Sequence, residues 1–179
     1  MKKYIVLLLP FLSCSVQHKL KIETILAAPA RVTSQNVETG RTYPRSTFVI
    51  VTPLLDHTIL MINQSDKTID LLLQGNISSG GLSINNVKKI RLEKTEQVGD
   101  VITLKYYVEI VNISGKEGST VQGYNYSKVE SYKIPDKVKT LKVELYEDRI
   151  SQRTGSKLPK LKLVAEHFFD LTMKYKPVN

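Results

Sequence analysis

Hydrophobic and polar residues alternate with a period of two over most of the chain after residue 46. The clearest stretch is Val101 to Ile113, in which five apolar side chains share one parity: Ile102, Leu104, Tyr106, Val108 and Ile110. Successive side chains of a strand point to opposite faces of a sheet, so this pattern predicts a strand with one buried face. Leu141 to Tyr146 alternates in the same way and predicts a second such strand.

Two shorter runs, Thr47 to Val51 and Thr58 to Ile62, are almost continuously apolar. Such runs are typical of central strands that are covered on both faces, and we predict that position for both. Thr68 to Leu73 follows the turn-forming residues 63–66, Asn-Gln-Ser-Asp. This spacing predicts a β-hairpin between Thr58–Ile62 and Thr68–Leu73.

Three further segments complete the predicted sheet: Leu82 to Glu93, Tyr124 to Tyr132 and Leu161 to Tyr175. Tyr124 to Tyr132 is expected to pair back on the long strand, with Gly123 or a bulge near Lys128 accommodating the charges that interrupt its apolar parity. No segment keeps a helical period. The chain is therefore predicted to be all-β, a single antiparallel β-sandwich of about eight or nine strands, with a small β-barrel around a ligand cavity as the alternative.

The first 14 residues follow a different pattern. Lys2 and Lys3 precede an apolar run of about nine residues, Tyr4 to Leu12, which is far shorter than the about 20 residues that span a bilayer. The run leads directly into Cys14, the only cysteine of the chain. This arrangement resembles the signal peptide of bacterial lipoproteins, although Phe11 stands where that family usually has Leu.

The resemblance implies that residues 1–13 are removed and that Cys14 carries a diacylglycerol group and an N-acyl chain such as palmitate. Residues 14–45 would then form the lipidated cysteine, a tether and a candidate edge strand at Leu20 to Leu26, and residues 46–179 the β-sandwich domain. Ser15, not an acidic residue, follows the cysteine, which by resemblance favours the outer membrane. The lack of an acidic cluster after Cys14 favours a periplasm-facing domain over the cell surface.

Without residues 1–13 the side chains comprise 24 basic and 17 acidic groups, a formal charge of +7. A basic protein tethered to a membrane is attracted to anionic lipid head groups, at about 1 kcal/mol per basic side chain near the surface. Charge that serves only solubility is the alternative. The chain has no aromatic and basic motif of an RNA-binding sheet, so we expect no nucleic-acid partner.

The sequence offers little catalytic or metal-binding chemistry. His18, His57 and His167 lie far apart and form no HExxH or His-x-His spacing. His167 shares the apolar parity of the last segment, which predicts a hydrogen-bonded core or cleft histidine. Asp56 and His57 are adjacent, and adjacent side chains of an extended segment point apart. We therefore predict a protein that is not an enzyme, with no catalytic residues, metal site or cofactor.

Three segments interrupt the strand pattern and are predicted to be loops: residues 75–81, 115–120 and 147–160. The first is rich in glycine but lacks the Lys-Ser/Thr that follows in a phosphate loop. The last gathers four cations: Arg149, Arg153, Lys157 and Lys160. We predict these four as a binding site for an acidic partner surface or lipid phosphate, with a solvated connection as the alternative.

These observations predict a lipid-anchored, non-catalytic envelope protein that docks another periplasmic or outer-membrane protein or has a structural role in such an assembly. In plan alone it is similar to the small outer-membrane lipoproteins of type VI secretion systems. The alternative is a lipoprotein that carries a lipid or small molecule in a cavity. A filled core would favour docking, and a sizeable apolar cavity would favour transport. The sequence leaves the identity of the partner and the oligomeric state open.

Overall fold

The protein is described by a computed structural model that covers residues 19–78, 83–114, 121–150 and 160–173. Over these residues the chain forms nine β-strands and no helix. The strands are β1 (Lys21–Gln35), β2 (Thr42–Ile50), β3 (Thr58–Gln64), β4 (Thr68–Ser78), β5 (Ser83–Val98), β6 (Val101–Ser114), β7 (Val121–Lys133), β8 (Thr140–Ile150) and β9 (Lys160–Asp170). The prediction of an all-β protein is confirmed.

The strands form two sheets. The first has five strands in the order β2-β1-β7-β4-β3, and the second has four in the order β5-β6-β8-β9. One of the two sheets curls into half of a barrel. The sheets contact each other through strands of both: β5 of the four-stranded sheet contacts β4 and β7, and β3 of the five-stranded sheet contacts β9.

The pairing of β6 with β8 differs from the predicted arrangement, in which all strand pairs are antiparallel. We expected β7 to pair with β6, but β7 lies in the other sheet, between β1 and β4. Because the chain crosses to the five-stranded sheet at β7 and then returns, it runs beside β6 in the same direction, and β6 and β8 are parallel. The remaining pairings described are antiparallel.

The core lies between the sheets and follows the predicted alternation. All five apolar residues of β6 that share a parity are at most 2% exposed. So are the three from β8: Leu141, Val143 and Leu145. They join residues of β3, β4 and β7 from the other sheet in one contiguous cluster. The period of two therefore identified the buried face of β6 and β8 correctly.

The two short apolar runs occupy a position opposite to the one predicted. The predicted β3–β4 hairpin is confirmed, with Leu60 paired to Leu72. However, β2 and β3 are the two edge strands of the five-stranded sheet, not central ones. Strand β2 is exposed along almost its whole length. An apolar run indicates that the side chains on both faces of a strand are hydrophobic. It does not require that other elements cover both faces, and here they do not.

Strand β1 is longer and more central than the candidate edge strand at Leu20 to Leu26. It runs for 15 residues and lies between β2 and β7. The β1–β7 register shifts between Ile25 and Leu26, next to Gly123, and neither pairing of β7 shows a shift near Lys128. Gly123 has φ +141, and a Cβ on it would lie 2.0 Å from the Ile77 carbonyl oxygen. Only glycine fits this position.

Beyond Leu26, β1 leaves β7 and continues with β2. Ala27 to Gln35 pair with Thr42 to Ile50, and no third strand of the described residues joins them. We call residues 27–50 the arm. Isolated two-stranded ribbons are marginally stable in water, so the arm is the part of the fold with the least support from neighbouring strands.

Candidate functional site

The structure describes the backbone of two of the four predicted cations, Arg149 and Lys160. Arg149 lies near the end of β8, and Lys160 begins β9 directly opposite it. Arg153 and Lys157 lie outside the described residues, as does Cys14. Residues 147–150 belong to β8 and residues 75–78 to β4, so both predicted loops are shorter than expected. Residues 115–120 are not described.

Arg149 is paired with Glu147. Its Nε and Nη2 donate hydrogen bonds of 3.1 and 2.9 Å to the Glu147 Oε2 atom. Glu147 lies on the apolar parity of β8, and its side chain is 3% exposed, whereas Arg149 is 42% exposed. The prediction of a cation cluster did not include Glu147. The signal that could have identified it is a charged residue at the position that continues the buried parity of Leu141, Val143 and Leu145.

Glu147 also contacts His57, the residue that directly precedes β3 of the first sheet. The His57 Nε2 atom lies 3.3 Å from the Glu147 Oε1 atom. Burial opposes the negative charge of Glu147, but the close approach of His57 and the hydrogen bonds from Arg149 outweigh it and hold the pKa of Glu147 below its ordinary value. The carboxylate thus stays ionised inside the protein because it has partners on both sides.

Tyr126 and Gly75 complete this group, which we call the clamp (His57, Gly75, Tyr126, Glu147 and Arg149). The His57 and Tyr126 rings lie 6.2 Å apart at 58°. A Cβ on Gly75 would lie 2.5 Å from the His57 Cδ2 atom and 2.7 Å from the Tyr126 hydroxyl, so the glycine makes room for both. Burial and the Glu147 charge raise the pKa of Tyr126.

The clamp lies at one end of a segment that crosses the five-stranded sheet from β2 to β3. We call residues 51–57 the strap. Asn125, 1% exposed, donates to the Pro53 carbonyl oxygen at 2.8 Å and accepts from the Leu55 N–H at 3.1 Å. Asn76 donates to the Leu55 carbonyl oxygen at 2.8 Å. These amides satisfy backbone groups of the strap, and the clamp fixes its end, so we interpret the clamp as a structural element.

His167 differs from its prediction. It is exposed on β9 and contacts Phe169, with ring centroids 4.4 Å apart. Phe169 is 8% exposed, whereas Leu163 is 46% exposed. The β8–β9 register shifts between Leu145 and Tyr146, so Leu163 leaves the parity of Phe169. His167 keeps that parity and pairs with Val143, but it is exposed on β9, which is an edge strand. The expectation of a core or cleft histidine is therefore wrong.

The outer face of the four-stranded sheet carries charges that are paired with each other. Arg91 contacts the Glu93 Oε2 atom at 2.6 Å and the Asp148 Oδ2 atom at 3.0 Å. Its guanidinium lies 5.0 Å from the centroid of the Tyr107 ring. The Tyr107 ring stacks on Tyr146 at 5.3 Å. We call this surface the charged face.

Ion pairs continue along the charged face towards β9. Lys142 lies 2.6 Å from a Glu144 oxygen and 2.8 Å from a Glu166 oxygen, and these bonds raise its pKa. Glu144 accepts a hydrogen bond of 2.7 Å from the Tyr146 hydroxyl, which with burial raises the pKa of Tyr146 to about 12. Such a paired surface has little need of an external partner for its charges.

Unlike the charged face, one face of β1 and β2 carries exposed apolar side chains. Ile22 pairs with Tyr126, a core residue, so its parity on β1 faces the same way as the core. This parity continues along the arm, and six large apolar residues on it are between 39% and 59% exposed: Ile22, Leu26, Val32, Tyr43, Val49 and Val51. We call these six residues the open core face. It is hydrophobic like the core, but the second sheet does not cover it.

An open cleft of about 500 Å³ lies where the β3–β4 turn approaches the chain after β9. Asp66 and Thr172 are among its polar lining residues, and Ile134 and Leu171 among its apolar ones. Gln64 closes one side by donating to the Leu171 carbonyl oxygen at 3.2 Å. The cleft is open to the surface, and Val138 at the margin of the core cluster contributes to its lining.

Among the described residues there is no group of three or more His, Cys, Asp or Glu side chains placed to hold a metal ion. In the same part of the chain, none of the secondary structure is a helix long and apolar enough to cross a membrane. Comparison of the chain with protein-family models, with curated proteins and with solved structures finds no match.

Proposed function

We propose that this protein is a lipid-anchored, non-catalytic envelope component that docks a protein partner through its open core face. The anchor is the predicted lipidation of Cys14, in the outer membrane and facing the periplasm. The observation that carries the proposal is the exposed hydrophobic parity of β1 and β2. Contiguous exposed apolar patches commonly mark interaction sites.

The finer architecture belongs to the same proposal. We infer that the two sheets form one β-sandwich, because core residues from both join a single cluster. In this arrangement the four-stranded sheet is too narrow to cover β1 and β2. The partner would supply the missing cover, much as one sheet of a sandwich covers the other.

The contrast between the two surfaces supports this assignment. On the charged face, Arg91, Lys142 and their neighbours satisfy one another. Within the six residues of the open core face there is no charge, and Arg45 lies beside them, paired in register with Val32. The complementary partner is therefore apolar at its centre and acidic where it meets Arg45.

The cations predicted at residues 149–160 remain a second candidate contact. Arg149 already donates two hydrogen bonds to Glu147, so it has fewer donors left for a protein partner than an unpaired guanidinium would have. The alternative function, a carrier of a lipid or small molecule, would use the surface cleft near Leu171. The buried cluster between the sheets favours docking, because its central residues are close to fully buried.

The experiment is recovery of envelope partners with the lipidated protein as bait after mild crosslinking. The variant Val49→Ser/Leu26→Ser removes apolar surface from the open core face. The control variant Lys88→Ser/Lys89→Ser changes side chains that are 65% and 54% exposed on the charged face. We expect the first variant to lose a partner that the wild type and the control both recover.

Equal recovery by both folded variants would reject the open core face as the docking surface. Measurable turnover of a small substrate by the purified protein would reject the non-catalytic function. Release of a bound lipid from the native protein on extraction would favour the carrier alternative instead.

A further inference from the structure

We propose that the outer edge of β2 from Ser46 to Ile50 pairs with the same edge of a second copy of this chain, joining two five-stranded sheets into one. This proposal rests on backbone geometry and does not depend on the lipid anchor or on the envelope partner.

The direction of the β2 backbone groups follows from one hydrogen bond. The Val51 N–H donates to the Leu26 carbonyl oxygen at 2.9 Å, so Val51 points its backbone groups towards β1. Backbone groups of an antiparallel strand point alternately to its two sides. Ser46, Phe48 and Ile50 therefore direct their N–H and C=O groups away from β1, to a side where no described strand pairs.

Two prolines limit where else a further strand could pair with the arm. By the same alternation, Pro29 of β1 faces the β7 side of the arm, where it offers no donor. Pro44 faces the outer side of β2, next to the open edge. Ser46, Phe48 and Ile50 thus form the part of the arm that can still accept a strand. Their segment, Ser-Thr-Phe-Val-Ile, has no charge and high β-propensity.

A two-fold axis at Phe48 satisfies all of these groups. In an antiparallel pair centred there, Phe48 lies opposite Phe48 of the second copy, and Ser46 lies opposite its Ile50. The three residues of each copy then exchange their donors and acceptors completely. An axis at Ser46 would instead place Pro44 opposite Phe48, and the missing N–H would leave one carbonyl oxygen without a partner.

Side chains fit the same register. Phe48 and Ile50 are 51% and 45% exposed, and pairing would bring the two phenylalanines together on one face. On the other face Arg45 would lie opposite Val51. The two copies of Arg45 would be offset by six positions, about 20 Å along the strands at about 3.3 Å per residue, so they would not repel each other strongly.

A second copy fits this edge better than a lipid surface does. Unpaired backbone groups cannot enter the hydrocarbon of a bilayer without a large cost, and the Ser46–Ile50 edge carries such groups. Strand pairing satisfies them and also supplies the third strand that the arm lacks.

The test is disulfide crosslinking in the full chain carrying Cys14→Ser, which has no other cysteine. Paired Cα atoms in this register lie about 5.5 Å apart, within the range of a disulfide. Phe48→Cys should give a crosslinked dimer on mild oxidation. The control is Tyr43→Cys, which is equally exposed at 48% but lies ten positions from its copy in this register.

Sedimentation gives a second measurement without oxidation. The Cys14→Ser chain should reach twice its mass of 20.3 kDa as concentration rises, and Ser46→Pro, which removes one outward N–H, should lower the association constant at least tenfold. A monomer at all concentrations, or equal crosslinking at Phe48→Cys and Tyr43→Cys, would overturn the proposal. Unchanged association of a folded Ser46→Pro variant would overturn it as well.

Discussion

Replacing Glu147 by glutamine tests the clamp that joins the two sheets. The substitution keeps the shape of the side chain but removes the charge that His57 and Arg149 contact. Hydrogen bonds to charged groups contribute about 1.5–3 kcal/mol each, and removing one partner of a buried ion pair costs about 3–5 kcal/mol. Arg149 is 42% exposed and can be solvated, so its share is discounted. We expect Glu147→Gln to lower the free energy of unfolding by about 1–3 kcal/mol at pH 7.

The effect should depend on pH in a defined direction. The folded pKa of Glu147 is lowered, whereas in the unfolded chain it is near the ordinary value of about 4.3. The stabilisation is therefore complete above that value and is lost as the pH falls through the folded pKa, because the unfolded state binds the proton first. The stability gap between wild type and variant should narrow below about pH 4.

Urea unfolding at pH 7 and at several acid pH values measures this gap. The control is Glu93→Gln, which breaks an ion pair of 2.6 Å between Glu93, 51% exposed, and Arg91. A surface pair of this kind should cost less than about 1 kcal/mol. If Glu147→Gln costs no more than the control at pH 7, or keeps its full cost at acid pH, the clamp does not join the sheets as argued.

The remaining predictions concern packing and the anchor. Leu104→Ala, at a residue that is 0% exposed, should cost about 2–5 kcal/mol in urea unfolding, while Lys105→Ala should cost under about 1 kcal/mol, and equal losses would contradict the assignment of faces. Gly75→Ala should cost about 1–3 kcal/mol by crowding the clamp, and an unchanged midpoint would contradict that close packing. Cys14→Ser should abolish fatty-acid labelling in growing cells, and retained labelling or an unchanged N-terminal mass would contradict the lipoprotein prediction.

Alternation along the chain predicted the local structure well where one face of a strand is buried. Residues of β6 and β8 show this most clearly, since their apolar parity coincides with the core. The β3–β4 hairpin was predictable because its turn residues are specific and the two strands are adjacent in sequence. These are local properties, and local sequence determines them.

Pairing between distant strands was not predictable from the same pattern. The sequence of β7 is compatible with pairing to β6, but β7 lies between β1 and β4, and β6 pairs with β8 in parallel. Nothing in the alternation of a single strand specifies its neighbour. For the same reason, the apolar run of β2 could not show that the strand lies at an edge.

The clamp was only partly visible in the sequence. His57 was recognised as a titratable residue, but its partner Glu147 lies 90 positions away, on the other sheet. The departure of Glu147 from an otherwise apolar parity was the signal that could have identified it. Asn125 gave no such signal, because its role depends on where the strap crosses the sheet.

Covalent footprinting would test the docking function most directly. It compares the protein in its native envelope with the same protein after purification. A small carbene probe labels exposed side chains in both samples. We predict that labelling of Tyr43 and Val49 on the open core face falls severalfold in the envelope, while that of Lys88 and Lys89 on the charged face is unchanged. Equal labelling of the open core face in both samples would contradict the account.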